Sequence, residues 1–308
     1  MNWLILVAIA VVADAIRVFA DNYITDVYFK GKESVSQKHF YGWFFVVMAI
    51  VMLFIFPVNF ETTPLYLIGF LVLAGCLNSL AGIPYYRAME MDDTTNISIF
   101  VQLAPIVYLI FGWIAFHESF SPHQLLGFAI ILCGPFLVIA TSRKNSRKIK
   151  IKAAIQAGLY VIISVVANMI FVKASDTTEM SFIQDMTFVF LGKGIGNIII
   201  CAFKPSWILR FNNVVKKTKG KMLRPLIINA VIGVTKDFTY RAALTLAPAV
   251  AIASVATDSA SPIVVFFLGI LFTIIWPAFG REKLDKKSVL VHLIATVFVV
   301  AGIIILQK

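Results

Sequence analysis

Read for hydrophobic and polar positions, the chain breaks into ten long apolar runs, at 2–20, 39–58, 64–86, 94–116, 121–141, 152–174, 181–203, 223–246, 248–277 and 287–306. About 20 mostly apolar residues suffice for a helix to cross a bilayer. Each run therefore predicts a spanning helix, and five fall in each half of the 308 residues. The first run has no basic segment before it and carries Asp14 and Arg17 where a signal peptide would be uniformly apolar, so it is expected to stay in the mature protein.

The two halves also resemble each other at an offset of 154 residues. Val11 to Ala20 aligns with Val165 to Ala174 with six identities, and at the same offset Tyr86-Arg87-Ala88 falls on Tyr240-Arg241-Ala242. Five spans is an odd number, so equivalent helices of the two halves run through the bilayer in opposite directions. The fold expected is an all-α membrane protein of ten transmembrane helices in two inverted five-helix repeats, an organisation in which transporters bind substrate between the repeats.

Composition excludes a water-soluble domain: 60% of residues are hydrophobic and 14% charged, with a mean hydropathy of +0.89. The net charge of +11 would suit a nucleic-acid binder, but its placement says otherwise. Short loops between ten spans put Lys30, Lys32, Lys38 and Arg87, the cations from Arg143 to Lys152, those from Lys204 to Arg224, and Arg281 to Lys287 on one side. The opposite loops hold Lys173 and Arg241 alone. That asymmetry marks cytoplasmic loops, so the charge is topological, no nucleic-acid partner is implied, and both termini are expected outside the cytoplasm. A multi-pass protein of the cell membrane follows, with membrane lipids among its partners.

In the first half stand Tyr86-Arg87-Ala88, Asn96 to Pro105 leading to Gly112, Glu118-Ser119-Phe120-Ser121, Gly127 and Gly134. The second half carries Tyr240-Arg241-Ala242, Ser261-Pro262-Ile263-Val264, Gly280-Arg281-Glu282 and Gly302. On these residues the chain resembles the EamA-like family of the drug/metabolite transporter superfamily. The resemblance implies one repeat at 1–146 and a second at 147–308, and a secondary transporter working by alternating access. It further implies a small polar substrate, amino acids leading, with export the favoured direction. A flippase for a lipid-linked substrate from the same superfamily is the first alternative, and a non-transporting scaffold or receptor the second.

The site is sought among polar residues inside the spans, because a charge at the bilayer centre costs about 2.5 to 3.5 kcal/mol and needs a partner, water or a function. Asp14, Arg17 and Asp21 share one helical face. They read either as a charged cavity wall or as an Asp14–Arg17 pair that locks helix packing, with Asp21 at the interface. Asp258 sits among small and polar residues before Pro262, which removes a backbone donor and kinks a helix; Thr257, Ser259 and Ser261 are expected to satisfy the freed carbonyls. It reads as a proton carrier or as one end of a salt bridge to Lys236 or Lys193. Lys193 lies between glycines whose spacing suits close helix packing. Arg17, Lys193 and Lys236 together favour a substrate bearing a negative group, an amino acid or organic anion. Asn78, Gln102 and Asn168 could bond a ligand or a neighbouring helix. Tyr85, Tyr86 and Tyr240 read as interfacial anchors, and Glu118 and Glu282 as helix caps or loop fasteners.

No hydrolase, nucleotide-binding or metal-ligand spacing is present, so no enzyme, metal or cofactor is expected. Cys76, Cys133 and Cys201 fall in predicted helices and read as small apolar residues. With no ATP site, energy is expected from an ion gradient or exchange, with a coupling proton as partner. The sequence is compatible with a homodimer.

Overall fold

The computed structural model describes residues 2–30, 33–60, 63–91, 104–142, 151–275 and 286–306. Among them lie eleven α-helices and no strand: α1 Trp3–Val27, α2 Lys38–Ile55, α3 Leu65–Met91, α4 Ala104–Phe116, α5 Pro122–Ser142, α6 Ile151–Thr177, α7 Phe182–Phe203, α8 Pro205–Lys217, α9 Leu223–Leu246, α10 Val250–Ile275 and α11 Lys286–Leu306. A 3₁₀ turn, Ser34–Gln37, leads into α2. Many of these helices are rich in Val and Ile, which are weak helix formers in water; in lipid the helix wins because every backbone group must be satisfied within the segment. Capping boxes start two of them. Ser181 and Gln184 exchange side-chain and backbone bonds ahead of α7, as do Ser121 and Gln124 ahead of α5.

Six helical stretches are long and apolar enough to cross a membrane, α1, Ser34–Ile55, α3, α6, α7 and α10, and shorter apolar stretches lie on α4, α5 and α11. The expectation of ten is met in part. Helix α9 has the length, but Arg224, Lys236, Asp237 and Arg241 lie on it. The run at 94–116 is described only from Ala104 onward. Helix α1 continues to Val27, past the expected end at residue 20, which carries Asp21 into the helix, where it is 1% exposed. The segment expected as a loop at 204–222 contains α8, an amphipathic helix. Two loop assignments also change, because Lys38 and Arg241 are buried helix residues.

The helices gather into two compact units, each drawing on both halves of the chain. The first comprises Met1–Tyr23, Thr94–Lys150 and Val231–Lys308. Its core holds Phe128, Ile131, Ile252, Val255, Ile263 and Val299. There α5 packs along α11 through glycines: a Cβ on Gly134 would meet the Ala295 carbonyl oxygen at 2.8 Å, and one on Gly302 the Gly127 oxygen at 2.8 Å.

The second unit comprises Ile24–Asp93 and Ile151–Ala230. Helix α3 packs on α6 and α7, and α2 on α7. A Cβ on Gly75 would stand 2.7 Å from the Lys193 nitrogen, and one on Gly192 would strike the Val72 carbonyl. One on Gly194 would come within 2.8 Å of the Val46 nitrogen. Close backbone approach is therefore what these glycines permit, the packing use read from their spacing.

Candidate functional site

In the first unit, charged residues of α1 and α9 meet beside α10. Asp14 is the hub. Its Oδ1 accepts from Arg17 Nη2 at 3.2 Å and Nε at 3.4 Å, one turn along the same helix. From α9, Lys236 Nζ reaches the same oxygen at 3.8 Å. From α10, Ser261 Oγ donates to Asp14 Oδ2 at 3.2 Å. Arg17 also turns toward buried Asp21, Nη1 to Oδ2 3.5 Å, so one guanidinium bridges two carboxylates. Gly233 lies against its stem, where an added Cβ would be in ordinary contact with Arg17 Cδ at 3.6 Å. Asp14 and Lys236 are each 21% exposed and Arg17 26%.

Asp258 completes the group. Both Lys236 and Asp14 act on it electrostatically, yet no ion pair closes on Asp258 among the described residues. Of the two cations read as alternative partners, Lys236 acts on Asp258 from within the same unit, and Lys193 belongs to the second unit. Around it, Thr257 Oγ1 bonds the Ala253 carbonyl at 2.8 Å and Ser261 bonds Asp14, so neither serves the carbonyl freed at Pro262. The Ser259 hydroxyl is buried without a bond. The expectation that these hydroxyls repair the kink is corrected: Thr257 bonds back within α10, Ser261 bonds to α1, and Ser259 bonds to neither.

Tyr240 is not an interfacial anchor. It is 5% exposed, donates to Tyr108 Oη at 3.1 Å, and lies 5.2 Å beneath the Lys236 ammonium, a cation–π contact. Tyr86 is equally buried, against Val35 and Trp207. Arg241, 1% exposed, lies within electrostatic reach of Asp237 one turn back. Counting Asp14, Asp21 and Asp258 against Arg17 and Lys236, the cluster carries both signs with an excess of acid.

Other expected site residues are placed elsewhere. Lys193 is 6% exposed in the second unit, 5.6 Å over the Phe45 ring. Asn168 is buried on α6 and Asn78 half-buried on α3 in that unit. Gln102 and Glu282 lie outside the described residues. Sequence reading missed two polar nodes of the second unit. Lys38 donates to the Ser79 carbonyl at 2.6 Å and to Asn197 Oδ1 at 3.1 Å. Asp185 accepts from Ser175 Oγ at 2.6 Å.

Glu118 behaves as the cap it was read to be, and for a helix of the other half. Its Oε1 accepts from the Val250 amide at 2.8 Å at the start of α10, the helix of Asp258. Gly112 makes the space, for a Cβ there would collide with the Glu118 carboxylate. Burial raises the Glu118 carboxyl above its ordinary range, and the Val250 and Ala251 amides partly offset this.

These placements can be set beside known proteins. Residues 2–140 match the model of the EamA-like transporter family. A protein of Bacillus subtilis (strain 168) described as the uncharacterized transporter YoaV is 26% identical over 105 residues, 32% of this chain and 36% of that protein. The chain thus spans about a third of the length of that relative. One crystal structure superposes over 98% of this chain and 94% of its own, with TM-score 0.63 and 13% identity, a likeness of fold alone. Apolar helices in number mark the chain as a multi-pass membrane protein, and over residues 2–140, a little under half of its length, it is similar to the EamA-like transporter family.

Proposed function

We propose that the protein is a secondary transporter that carries a small polar metabolite across the cell membrane by alternating access. Its ten spans form two inverted repeats, 1–146 and 147–308, with both termini outside the cytoplasm. The observation that carries this reading is the mixed-charge cluster of Asp14, Arg17, Lys236 and Asp258, partly exposed and drawn from three helices. Charges are kept inside a membrane protein where they pair, meet water or act on a ligand. Arg17 and Lys236 are already engaged with Asp14, and Asp258 is in no ion pair among the described residues.

A zwitterion fits such a cluster better than a simple organic anion does. Its ammonium would face Asp258 while its carboxylate competes with Asp14 for Lys236. An amino acid is therefore the substrate class, export the direction, and Asp258 the carrier of the coupling proton. Purified protein in liposomes loaded with labelled amino acids, zwitterionic and acidic, tests the reading. Efflux of zwitterions, faster with an inward proton gradient, is expected; no flux of any of them would reject it.

A further inference from the structure

Helix α8 begins a single residue after α7 ends, since only Lys204 separates Phe203 from Pro205. It ends six residues before α9 starts. A membrane-crossing helix therefore holds it at the bilayer surface, at the level of the headgroups. Pro205 at the first turn and Lys216 and Lys217 in the last suit the two ends of a helix. Left-handed Lys219 and Gly220 then stop it, and the Gly220 amide bonds the Val215 carbonyl at 3.0 Å.

One face is spoken for. Trp207, Phe211 and Val214, at spacings of four and three, are buried. Trp207 packs against Val35 and Tyr86, and Phe211 stacks on Phe40 with centroids 6.5 Å apart. Its other face carries exposed Leu209, and Phe203 at the end of α7 is exposed too, 65% and 86% accessible. At the end of α8 and just past it, Lys216, Lys217, Lys219, Lys221 and Arg224 are all exposed. No acidic residue occurs between Asp185 and Asp237 to neutralise them.

We propose that α8 is a lipid-binding helix whose exposed apolar residues enter the adjoining leaflet while its C-terminal cations bind the headgroups of acidic phospholipids. Apolar residues at acyl depth with lysines able to extend toward phosphate match the anatomy of an interfacial helix. A free acidic protein would have no use for exposed Leu209 and Phe203.

The test places the whole protein in nanodiscs of phosphatidylcholine containing a small fraction of spin-labelled lipid. Spin-labelled phosphatidylglycerol should be immobilised in preference to spin-labelled phosphatidylcholine. That preference should fall at least fivefold, roughly the effect of one cation near an acidic bilayer, in Lys216→Gln/Lys217→Gln/Lys219→Gln/Lys221→Gln. If that variant fails to fold, salt serves instead, since raising it screens exposed charges and should erase the wild-type preference. Equal immobilisation of both lipids, or a preference indifferent to both salt and substitution, overturns the proposal. So does binding of soluble polyglutamate by a protein that shows no preference for phosphatidylglycerol.

Discussion

Lys236 of α9 stands 3.8 Å from Asp14 of α1, although 222 positions separate them in the chain. The 154-residue offset pairs Asp14 with Asn168 and Lys236 with Gly82, on α6 and α3 of the second unit. The charge pair thus exists in one of two corresponding helix pairs. On the proposed reading, this departure from the repeat is where the substrate site lies.

Removing one partner of a poorly solvated ion pair leaves the other charge uncompensated. Asp14→Asn should therefore destabilise the protein by about 1–3 kcal/mol, because it removes the carboxylate that Arg17 and Lys236 share and leaves Arg17 to Asp21. Lys236→Met should cost less, since Arg17 remains on Asp14. In thermal unfolding of the double variant, the loss should be smaller than the sum of the single losses, the mark of direct coupling.

Glu118 gives a prediction with a sign. A carboxyl raised by burial binds its proton more tightly in the folded protein than in the unfolded one. Its contribution to stability is then greatest below the unfolded value of about pH 4.3 and declines as pH rises through the folded value. Glu118→Gln keeps an acceptor for the Val250 amide and should remove that decline. Glu118→Ala removes the cap as well and should cost about 1 kcal/mol at neutral pH. Melting temperatures across pH 4 to 8 separate the two.

Helix contact in the second unit is equally exposed to test. Gly192→Ala puts a methyl group against the Val72 backbone, which cannot rotate away, and should cost about 1–3 kcal/mol. Gly158→Ala has nothing within 4 Å of the new methyl and should be neutral or slightly stabilising. Equal effects in unfolding experiments would contradict the packing described for α3 and α7.

Much of this was legible from local pattern. The Asp14–Arg17 pair follows from a spacing of three on a helix, and the use of Gly192 and Gly196 from a spacing of four. Glu118 was readable as a cap, though not for which helix, because Val250 is 132 residues away. Partners of that kind are decided by tertiary structure, which is why the bonds of Ser261 to Asp14 and of Tyr240 to Tyr108 escaped notice. Asp21 was misplaced because Asp21, Asn22 and Asp26 look like the end of an apolar run, while the backbone stays helical to Val27. Tyr240 was misread for a similar reason: position near a helix end suggested an anchor, but its ring is buried under Lys236. Helix α8 was missed by looking only for runs long enough to span. The period of Trp207, Phe211 and Val214 between polar residues was there to be read.

The central claim is that Asp258 carries the coupling proton. Its most direct test is pH-gradient-driven flux of a transported amino acid in liposomes containing Asp258→Asn, beside counterflow exchange of the same substrate at equal pH. The account predicts that gradient-driven flux disappears while exchange persists, because the amide keeps the shape of the site and cannot release a proton. Gradient-driven flux at the wild-type rate in Asp258→Asn would contradict it.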